Sequence, residues 1–222
     1  MNFDPRTEYQ DTQTAEEYDR RRFTSFSGRL FQLCERRALE RVLSSVTLGS
    51  LLVDAPCGTG RLMPLYLSKG FRVLGVDISR EMIHVARRRT ASWKGKANFS
   101  RMDFARIPLA TDSVDAVFCI RFLPHFPPEE RIEMLREFSR IARERVVISL
   151  SISNGWMRFR RKLKDWLGHE KPVRNPVTVD AMRRELNLAG LREVKRLWTV
   201  PIFSEQIIVV CERDHSHRGR TG

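Results

Sequence analysis

The chain has 222 residues and a hydrophobic content of 41%, which is typical of a globular protein large enough to bury a full core without disulfides or metals. Its 40 Lys and Arg residues against 27 Asp and Glu give a net charge of +13, which favours association with an anionic partner, nucleic acid or acidic lipid. No apolar run has the length of a signal peptide or a membrane span, and the four cysteines lack metal-ligand spacing, so we expect a cytoplasmic protein without a metal site.

The two ends of the chain differ in composition from its centre. Residues 1–22 are polar, which predicts a flexible arm, and a helical pattern over 28–43 predicts a packing helix ahead of the first strand. We expect a single folded domain over 23–213 and a disordered polar tail over 214–222. The tail holds two weak metal-ligand candidates, His215 and His217.

The central motif is a short apolar run that ends in an acid and a glycine-bearing turn. Leu51-Leu52-Val53 precedes Asp54, and Gly58 and Gly60 follow before a helical pattern over 62–69. Such a run is typical of a buried strand in a parallel sheet, and the glycines let the backbone approach a ligand closely. The motif therefore predicts a small-molecule site at the C-terminal end of a strand.

The charge at this turn distinguishes two classes of ligand. A dinucleotide site requires Gly-x-Gly-x-x-Gly, and Met63 occupies the third glycine position. Asp54 would repel a pyrophosphate, whereas S-adenosylmethionine has no phosphate and carries sulfonium and ammonium groups that a carboxylate attracts. Asp77, after a predicted strand over 72–76, can accept both ribose hydroxyls of either cofactor. Asp54 thus favours S-adenosylmethionine; the alternative is an ordinary α/β turn whose glycines only shape the chain.

Helical and strand patterns continue to alternate along the chain. Beyond the strand over 72–76, helices are predicted over 80–89 and 128–143, and strands over 98–102, 114–120 and 145–150. The first of these helices ends in Arg87-Arg88-Arg89, a basic run that we interpret as a solvated face.

The pattern changes after the fifth strand, where we expect a lid or acceptor-binding insertion over 154–177. Trp156 and Trp166 share one helical face with apolar neighbours and are surrounded by Arg and Lys, which is typical of a helix at a membrane interface. The same stripe could equally pack inward as a lid. Thr178 then predicts the N-cap of a further helix that Gly190 ends. Two runs over 191–199 and 206–211 predict a terminal hairpin.

Five stretches together resemble the successive motifs of class I S-adenosylmethionine-dependent methyltransferases. They are Val53-Asp54-Ala55-Pro56-Cys57-Gly58-Thr59-Gly60-Arg61, Gly75-Val76-Asp77-Ile78-Ser79-Arg80-Glu81-Met82, Arg101-Met102-Asp103-Phe104-Ala105-Arg106-Ile107-Pro108-Leu109, Asp112-Ser113-Val114-Asp115-Ala116-Val117-Phe118 and Leu123-Pro124-His125-Phe126. The similarity is to the small ubiquinone/biotin-pathway type, methyltransferase type 11-like. It is specific for the cofactor and almost silent about the acceptor.

The resemblance implies an α/β fold: a Rossmann-like, seven-stranded, mostly parallel sheet with helices on both faces and a C-terminal antiparallel hairpin. It implies that Asp103 accepts the adenine amino group between Met102 and Phe104; the alternative is a surface aspartate capping a turn. Tyrosines of the arm, Tyr9 and Tyr18, would help to close the site. The other cofactor-binding positions are Asp54, Ala55, Gly58, Gly60, Asp77, Ile78 and Ile120.

The loop after the fourth strand is where an acceptor should meet the methyl group. His125 is the candidate general base, because imidazole titrates near neutral pH, although a lone histidine after proline also commonly fixes a loop. Arg121 could steer an anionic acceptor or hold the loop in place. The loop lacks both the Pro-Cys of cytosine-C5 enzymes and the Asp/Asn-Pro-Pro-aromatic signature of amino-methylating nucleic-acid enzymes.

Three functions follow as hypotheses. The first is methyl transfer to a small or amphipathic metabolite. In one form of this hypothesis the enzyme is a peripheral protein at an anionic membrane surface. The second is methyl transfer to RNA, which the charge of +13 favours. The third is a regulatory protein that binds the cofactor without turnover. The sequence contains no indicator of the acceptor atom or the oligomeric state.

Overall fold

The computed structural model describes residues 26–104, 106–153, 175–199 and 205–214. The predicted arm with Tyr9 and Tyr18, the helix over 156–167, and His215 and His217 lie outside the described residues. The helices are α1 (Phe26–Leu43), α2 (Met63–Ser68), α3 (Arg80–Arg89), α4 (Pro128–Ile141) and α5 (Val179–Leu188). The strands are β1 (Leu51–Asp54), β2 (Arg72–Asp77), β3 (Ala97–Arg101), β4 (Val114–Cys119), β5 (Ala142–Ser151), β6 (Leu191–Trp198) and β7 (Gln206–Arg213).

These strands form a seven-stranded sheet in the order β3-β2-β1-β4-β5-β7-β6. The first five strands in this order are parallel to one another, and β7 is antiparallel to both β5 and β6. The predicted mostly parallel sheet with a C-terminal antiparallel hairpin is therefore confirmed. Since the parallel strands all end at one edge, the residues that follow β1, β2, β3 and β4 meet there.

Helices cover both faces of the sheet, because successive side chains of a buried strand point in opposite directions. Val53 and Val117 face a core cluster that also contains side chains of α4 and α5. Leu52 and Phe118 face the opposite cluster, which contains side chains of α1, α2 and α3. Both faces of the central strands are thus buried, as their continuous apolar runs predict.

Helix α1 packs through a face that only part of its leucine pattern marks. Leu30 and Leu33 are exposed, whereas Glu35, Leu39 and Val42 are buried. Positions 35, 39 and 42 lie within about 60° of one another around a helix of 3.6 residues per turn, and Leu30 lies well away from them. The apolar pattern over 28–43 therefore predicts the helix correctly, and its leucines at 39 and 43 lie on the buried side.

Helix α4 passes directly into β5, so both boundaries differ from the predicted 128–143 and 145–150. Ala142 already has extended backbone angles, φ −82° and ψ 132°. The guanidinium of Arg213, on β7, donates to the carbonyl oxygens of Ser139 and Ala142 at 2.6 and 2.9 Å. These hydrogen bonds supply donors to carbonyl groups at the C-terminal end of the helix, which have no donor within the helix. The helix can therefore end here without a glycine.

Helix α5 has both of the predicted ends. Thr178 Oγ1 accepts a hydrogen bond from the N–H of Ala181 at 3.2 Å, and Gly190 follows the helix with φ +68°. A buried ion pair joins this helix to α4: Arg131 Nη2 and Nε donate to the two carboxylate oxygens of Glu185 at 2.6 and 2.9 Å. Among the described residues no helix is long and apolar enough to cross a bilayer.

Candidate cofactor and acceptor site

The loop after β1 is held between the two neighbouring strands. Ala55 N–H donates to Phe118 O on β4 at 2.9 Å, and Cys57 N–H donates to Val76 O on β2 at 2.8 Å. These bonds continue the sheet pairing past the end of β1 at Asp54. The loop therefore has a fixed backbone at the edge where the parallel strands end.

The two glycines of this loop have different physical roles. Both have a left-handed backbone, with φ +52° at Gly58 and +70° at Gly60. A Cβ at Gly60 would lie 2.9 Å from the Cβ of Ala86, so this glycine allows the loop to pack against α3. A Cβ at Gly58 would meet nothing within 4 Å, which leaves open space beside the backbone. Gly58 thus provides the close approach that a bound ligand requires.

Asp77 links the ends of β1 and β2. Its two carboxylate oxygens accept hydrogen bonds from the N–H groups of Gly58 and Ser79 at 2.8 and 2.9 Å. Burial raises the pKa of Asp77, while the N–H groups of Ser79, Gly58 and Ile78 oppose that shift. A carboxylate has about four acceptor positions, so two hydrogen bonds leave capacity for the hydroxyls of a ligand.

Asp54 is buried at the end of β1, with 2% of its surface exposed. Burial raises the pKa of this carboxyl from 3.8 to about 8; the nearby Arg61 guanidinium opposes the shift and Asp77 adds to it. Without a ligand the carboxyl is therefore mostly protonated at pH 7. A cation placed beside it would favour the ionised form and be bound in return.

A buried carboxylate on α1 connects three segments around the site. Glu35 is fully buried, and its oxygens contact Arg61 Nη2 at 2.7 Å and Arg121 Nε at 2.9 Å. Gln206 Nε2, on β7, donates to the same carboxylate at 3.1 Å. Glu35 was not among the predicted site residues, although its position four and seven residues before Leu39 and Val42 places it on the same face of the helix.

Arg121 is held in an unusual conformation directly after β4. Its φ is +65°, a left-handed value that is costly for a residue with a Cβ. Its N–H donates to Ser149 Oγ at 2.6 Å, and its guanidinium lies 4.3 Å from the ring centroid of Phe31. Together with Glu35, these contacts fix the start of the loop that leads to His125.

His125 ends a short 3₁₀ helix, Leu123–His125, at the same edge of the sheet. Its N–H donates to Phe122 O at 3.0 Å, and the ring is half-buried with a buried Nδ1. The next carbonyl, Phe126 O, accepts from Arg131 Nη1 at 2.7 Å. The ion pair between α4 and α5 thus also anchors the end of this loop.

The predicted adenine-binding residues lie just beyond β3. Met102 N–H donates to Asp77 O at 3.1 Å, so the chain leaves β3 next to the Asp77 carboxylate. Asp103 is exposed and Met102 is half-buried. Phe104 is buried, with its ring edge-to-face against Phe122 at 5.1 Å between centroids.

The remaining predicted cofactor residues lie around the same strand ends. Ala55 and Ile120 are buried and Ile78 is half-buried. The structure therefore brings together the predicted set at one sheet edge: Asp54, Ala55, Gly58, Gly60, Asp77, Ile78, Met102, Asp103, Phe104 and Ile120. The open side of Gly58 and the spare acceptor capacity of Asp77 fit a ribose, and buried Asp54 fits a cationic group.

Comparisons with known proteins point the same way. Residues 52–145 match the family described as "Methyltransferase domain". Methyltransferase GfsG of Streptomyces halstedii is 32% identical over 101 residues, which cover 44% of this chain and 36% of that protein. Magnesium-protoporphyrin O-methyltransferase of Synechocystis is 29% identical over 106 residues, 46% of this chain and 45% of that protein. The chain thus matches less than half the length of these curated relatives.

A solved structure extends the similarity in fold to nearly the whole chain. The magnesium protoporphyrin IX methyltransferase of Synechocystis PCC 6803, crystallised with bound S-adenosylhomocysteine, has a TM-score of 0.74 at 20% identity. The alignment covers 92% of this chain and 97% of that one. Residues 52–145 thus match a methyltransferase domain, and nearly the whole chain has the fold of this methyltransferase.

Proposed function

We propose that the protein transfers a methyl group from S-adenosylmethionine to a small or amphipathic metabolite. The observation that carries the proposal is the pair of buried carboxylates, Asp54 and Asp77, on adjacent strand ends beside the open Gly58. A ribose diol and a cationic amino-acid group are the chemical features that such a pair binds. The relative named for magnesium-protoporphyrin supports a small-molecule acceptor.

In this proposal the protein contributes chiefly by positioning. When bound, S-adenosylmethionine would supply a methyl group on a sulfonium. An acceptor held in line would bond to the methyl carbon as the carbon–sulfur bond breaks, and S-adenosylhomocysteine would leave. Asp77 accepts hydrogen bonds from the ribose hydroxyls, and Asp54 stabilises the cationic end. Asp103 accepts from the adenine amino group beside Met102.

His125 is the proposed general base. As the new bond to the methyl group forms, the acceptor hydroxyl or amine loses its proton to the imidazole, for which we assign Nε2 because Nδ1 is buried. Arg121 is the proposed positioning residue, since its contacts with Glu35 and Phe31 hold the loop that carries His125.

Location and membrane contact belong to the same proposal. None of the four cysteines forms a disulfide, which supports a reducing, cytoplasmic setting. Peripheral contact with an anionic membrane depends on the basic helix predicted over 156–167, outside the described residues, and remains a prediction.

The experiment that tests the function uses methyl-labelled cofactor with cell extract. Label in the small-molecule or lipid fraction would support the proposal, and label in RNA would favour the RNA-directed alternative. Absence of transfer by a protein that still binds S-adenosylhomocysteine would favour the regulatory alternative. A His125→Ala protein serves as the background sample.

We expect Asp77→Ala to weaken S-adenosylhomocysteine binding by about 1–3 kcal/mol, because the ribose hydroxyls lose their acceptor. Calorimetry measures the change. Asp77→Asn keeps one acceptor oxygen at the same place and should lose less. Because Asp77 also holds Gly58 and Ser79, the thermal unfolding of each variant is recorded alongside. Equal affinity of all three proteins would show that the ribose lies elsewhere.

We expect His125→Ala to lower the turnover of an identified acceptor by about 100-fold or more, because general-base catalysis contributes about 10²–10⁴-fold. Affinity for S-adenosylhomocysteine should stay nearly unchanged. Steady-state kinetics over a pH series at saturating cofactor provides the measurement, since the variant should also lose the acidic limb of the kcat profile. Wild-type turnover of the variant would make His125 a loop-fixing residue.

A further inference from the structure

The outer strand of the sheet and the turn before it carry a concentration of positive charge. Two of these cations reach the cofactor edge: Arg89 Nη1 donates to Thr59 Oγ1 at 3.0 Å, and Arg101 Nε donates to Ile78 O at 2.8 Å. The segment over 87–101 holds three arginines in succession, two lysines and Arg101, and no acid. All six of these side chains are exposed. This segment comprises the end of α3, the following loop and β3, which has a neighbour on one side only in the sheet order.

The cations of this segment differ from those on the opposite side of the sheet. There, exposed arginines pair with acids: Arg143 with Asp115, Arg183 with Glu193 and Arg192 with Glu212, at 2.7–3.5 Å. Within the part of the chain that the structure describes, no acid forms an ion pair with Arg87, Lys94 or Lys96. Among the described residues, the charges of these three side chains are therefore not offset by an ion pair.

A groove of about 320 Å³ lies in the middle of this basic edge. Two aromatic side chains line it, Trp93 and Phe99, and both are half-buried. The Arg87 guanidinium lies 5.8 Å from the centroid of the Phe99 ring, and Lys94 and Asn98 complete the exposed polar lining. The groove thus combines ring faces, cations and an amide.

This groove is distinct from the cofactor site. In the pairing of β2 with β3, Ala97 is opposite Val73 and Arg101 is opposite Asp77. Four residues of strand span about 13 Å, so the groove at the start of β3 lies well behind the edge where Asp77 and Asp103 meet the cofactor. A ligand in the groove therefore need not displace the cofactor.

We infer that this edge, the segment over 87–101, is a docking surface for single-stranded nucleic acid. The cations meet phosphates, and the aromatic groove accepts an unpaired base, which can stack on a ring and hydrogen-bond to Asn98. A lipid surface fits less well, since lipid binding requires apolar side chains that project outward. Among the residues that the structure describes, the exposed large hydrophobic side chains lie elsewhere, at Leu30, Leu33, Leu48, Leu188, Val194 and Trp198.

The test is fluorescence anisotropy with a labelled single-stranded RNA of about 12 nucleotides. We expect the triple variant Arg87→Gln/Lys94→Gln/Lys96→Gln to bind it at least tenfold more weakly. If each cation neutralises one phosphate, the slope of log affinity against log salt should fall by about 2. Affinity for S-adenosylhomocysteine should not change, which separates this surface from the proposed catalytic function.

A matched control removes the same charge from paired arginines. Arg143→Gln/Arg183→Gln/Arg192→Gln lowers the net charge equally and should leave RNA affinity nearly unchanged. Equal loss in both triple variants would overturn the inference, because net charge alone would then explain binding. If the first triple variant fails to fold, Lys94→Gln/Lys96→Gln keeps the test, since both side chains are exposed.

The aromatic part of the inference has its own variant. Trp93→Ala should weaken RNA binding about tenfold, whereas Trp93→Phe, which keeps a stacking face, should retain most of the affinity. Vesicles of phosphatidylserine and phosphatidylcholine in equal parts provide the competing surface. The inference fails if these vesicles displace the RNA and their own binding depends on Trp93.

Discussion

Arg131→Met is expected to destabilise the fold by about 3–5 kcal/mol, because it leaves a buried carboxylate without its partner. Arg131 is 1% exposed and donates three hydrogen bonds, two to Glu185 and one to Phe126 O. Methionine keeps part of the volume and none of the donors. Urea denaturation followed by circular dichroism gives the free energy of unfolding.

A double variant separates the lost ion pair from lost packing. In Arg131→Met/Glu185→Leu neither charge remains, and apolar replacements of buried pairs are often neutral, so most of the stability should return. Arg183→Gln, on the same helix as Glu185, is the comparison at an exposed ion pair. Arg183 Nε lies 3.5 Å from the carboxylate of Glu193, and this pair should contribute about 0–1 kcal/mol to the free energy of unfolding. A loss below about 1 kcal/mol in Arg131→Met would contradict the assigned role.

Cofactor binding should strengthen about tenfold for each pH unit between pH 6 and pH 8, because ionisation of Asp54 is required. Burial raises the pKa of this carboxyl to about 8, so without a ligand it is mostly protonated below that pH. A cationic ligand favours the ionised form, and binding therefore releases a proton. Above about pH 8 the affinity should level off.

The same shift has a defined sign for stability. Because the folded pKa of Asp54 lies above its ordinary value of 3.8, the folded protein holds a proton that the unfolded chain has lost. The contribution of Asp54 to stability without ligand therefore falls as pH rises from about 4 to about 8. Cofactor affinity and ligand-free stability thus change in opposite directions with pH.

Calorimetry with S-adenosylhomocysteine checks this prediction at pH 6, 7 and 8, in pairs of buffers with different ionisation enthalpies. The difference between paired buffers counts the released protons. Asp54→Asn should bind more weakly and lose the proton release. Asp77, whose pKa is also raised, stays in this variant and shows whether it contributes. A flat affinity with no proton release would contradict the electrostatic role of Asp54.

The fold follows from the sequence because its signals are local. The apolar run before Asp54, the turn glycines and the cap at Thr178 each act within a few residues, and the structure has the elements that they predict. The strand-end acids could also be found, because parallel strands bring their C-terminal ends to one edge. Element ends were less predictable: helix α4 ends where Arg213, distant in sequence, binds its carbonyls.

The parts that the sequence did not reveal depend on contacts between distant positions. Glu35 is buried because Arg61, Arg121 and Gln206 surround it, and no local pattern brings these residues together. Arg131 and Glu185 likewise lie on different helices, each on a segment with many exposed charges. The Arg87-Arg88-Arg89 run is exposed, as expected of a solvated face, and the groove that Arg87 lines also needs Trp93 and Phe99, which the local charge pattern does not indicate.

The position of β7 has a kinetic consequence. This strand is inserted between β5 and β6, and it supplies Gln206 to the buried Glu35 carboxylate, 171 positions earlier in the chain. Contacts of such long sequence separation form slowly, because loop-closure entropy must be overcome first. A chain still being synthesised can therefore pair β1, β2 and β4 early. The hydrogen bond from Gln206 to the Glu35 carboxylate, which also binds Arg61 and Arg121, forms only after residues 206–213 have emerged from the ribosome.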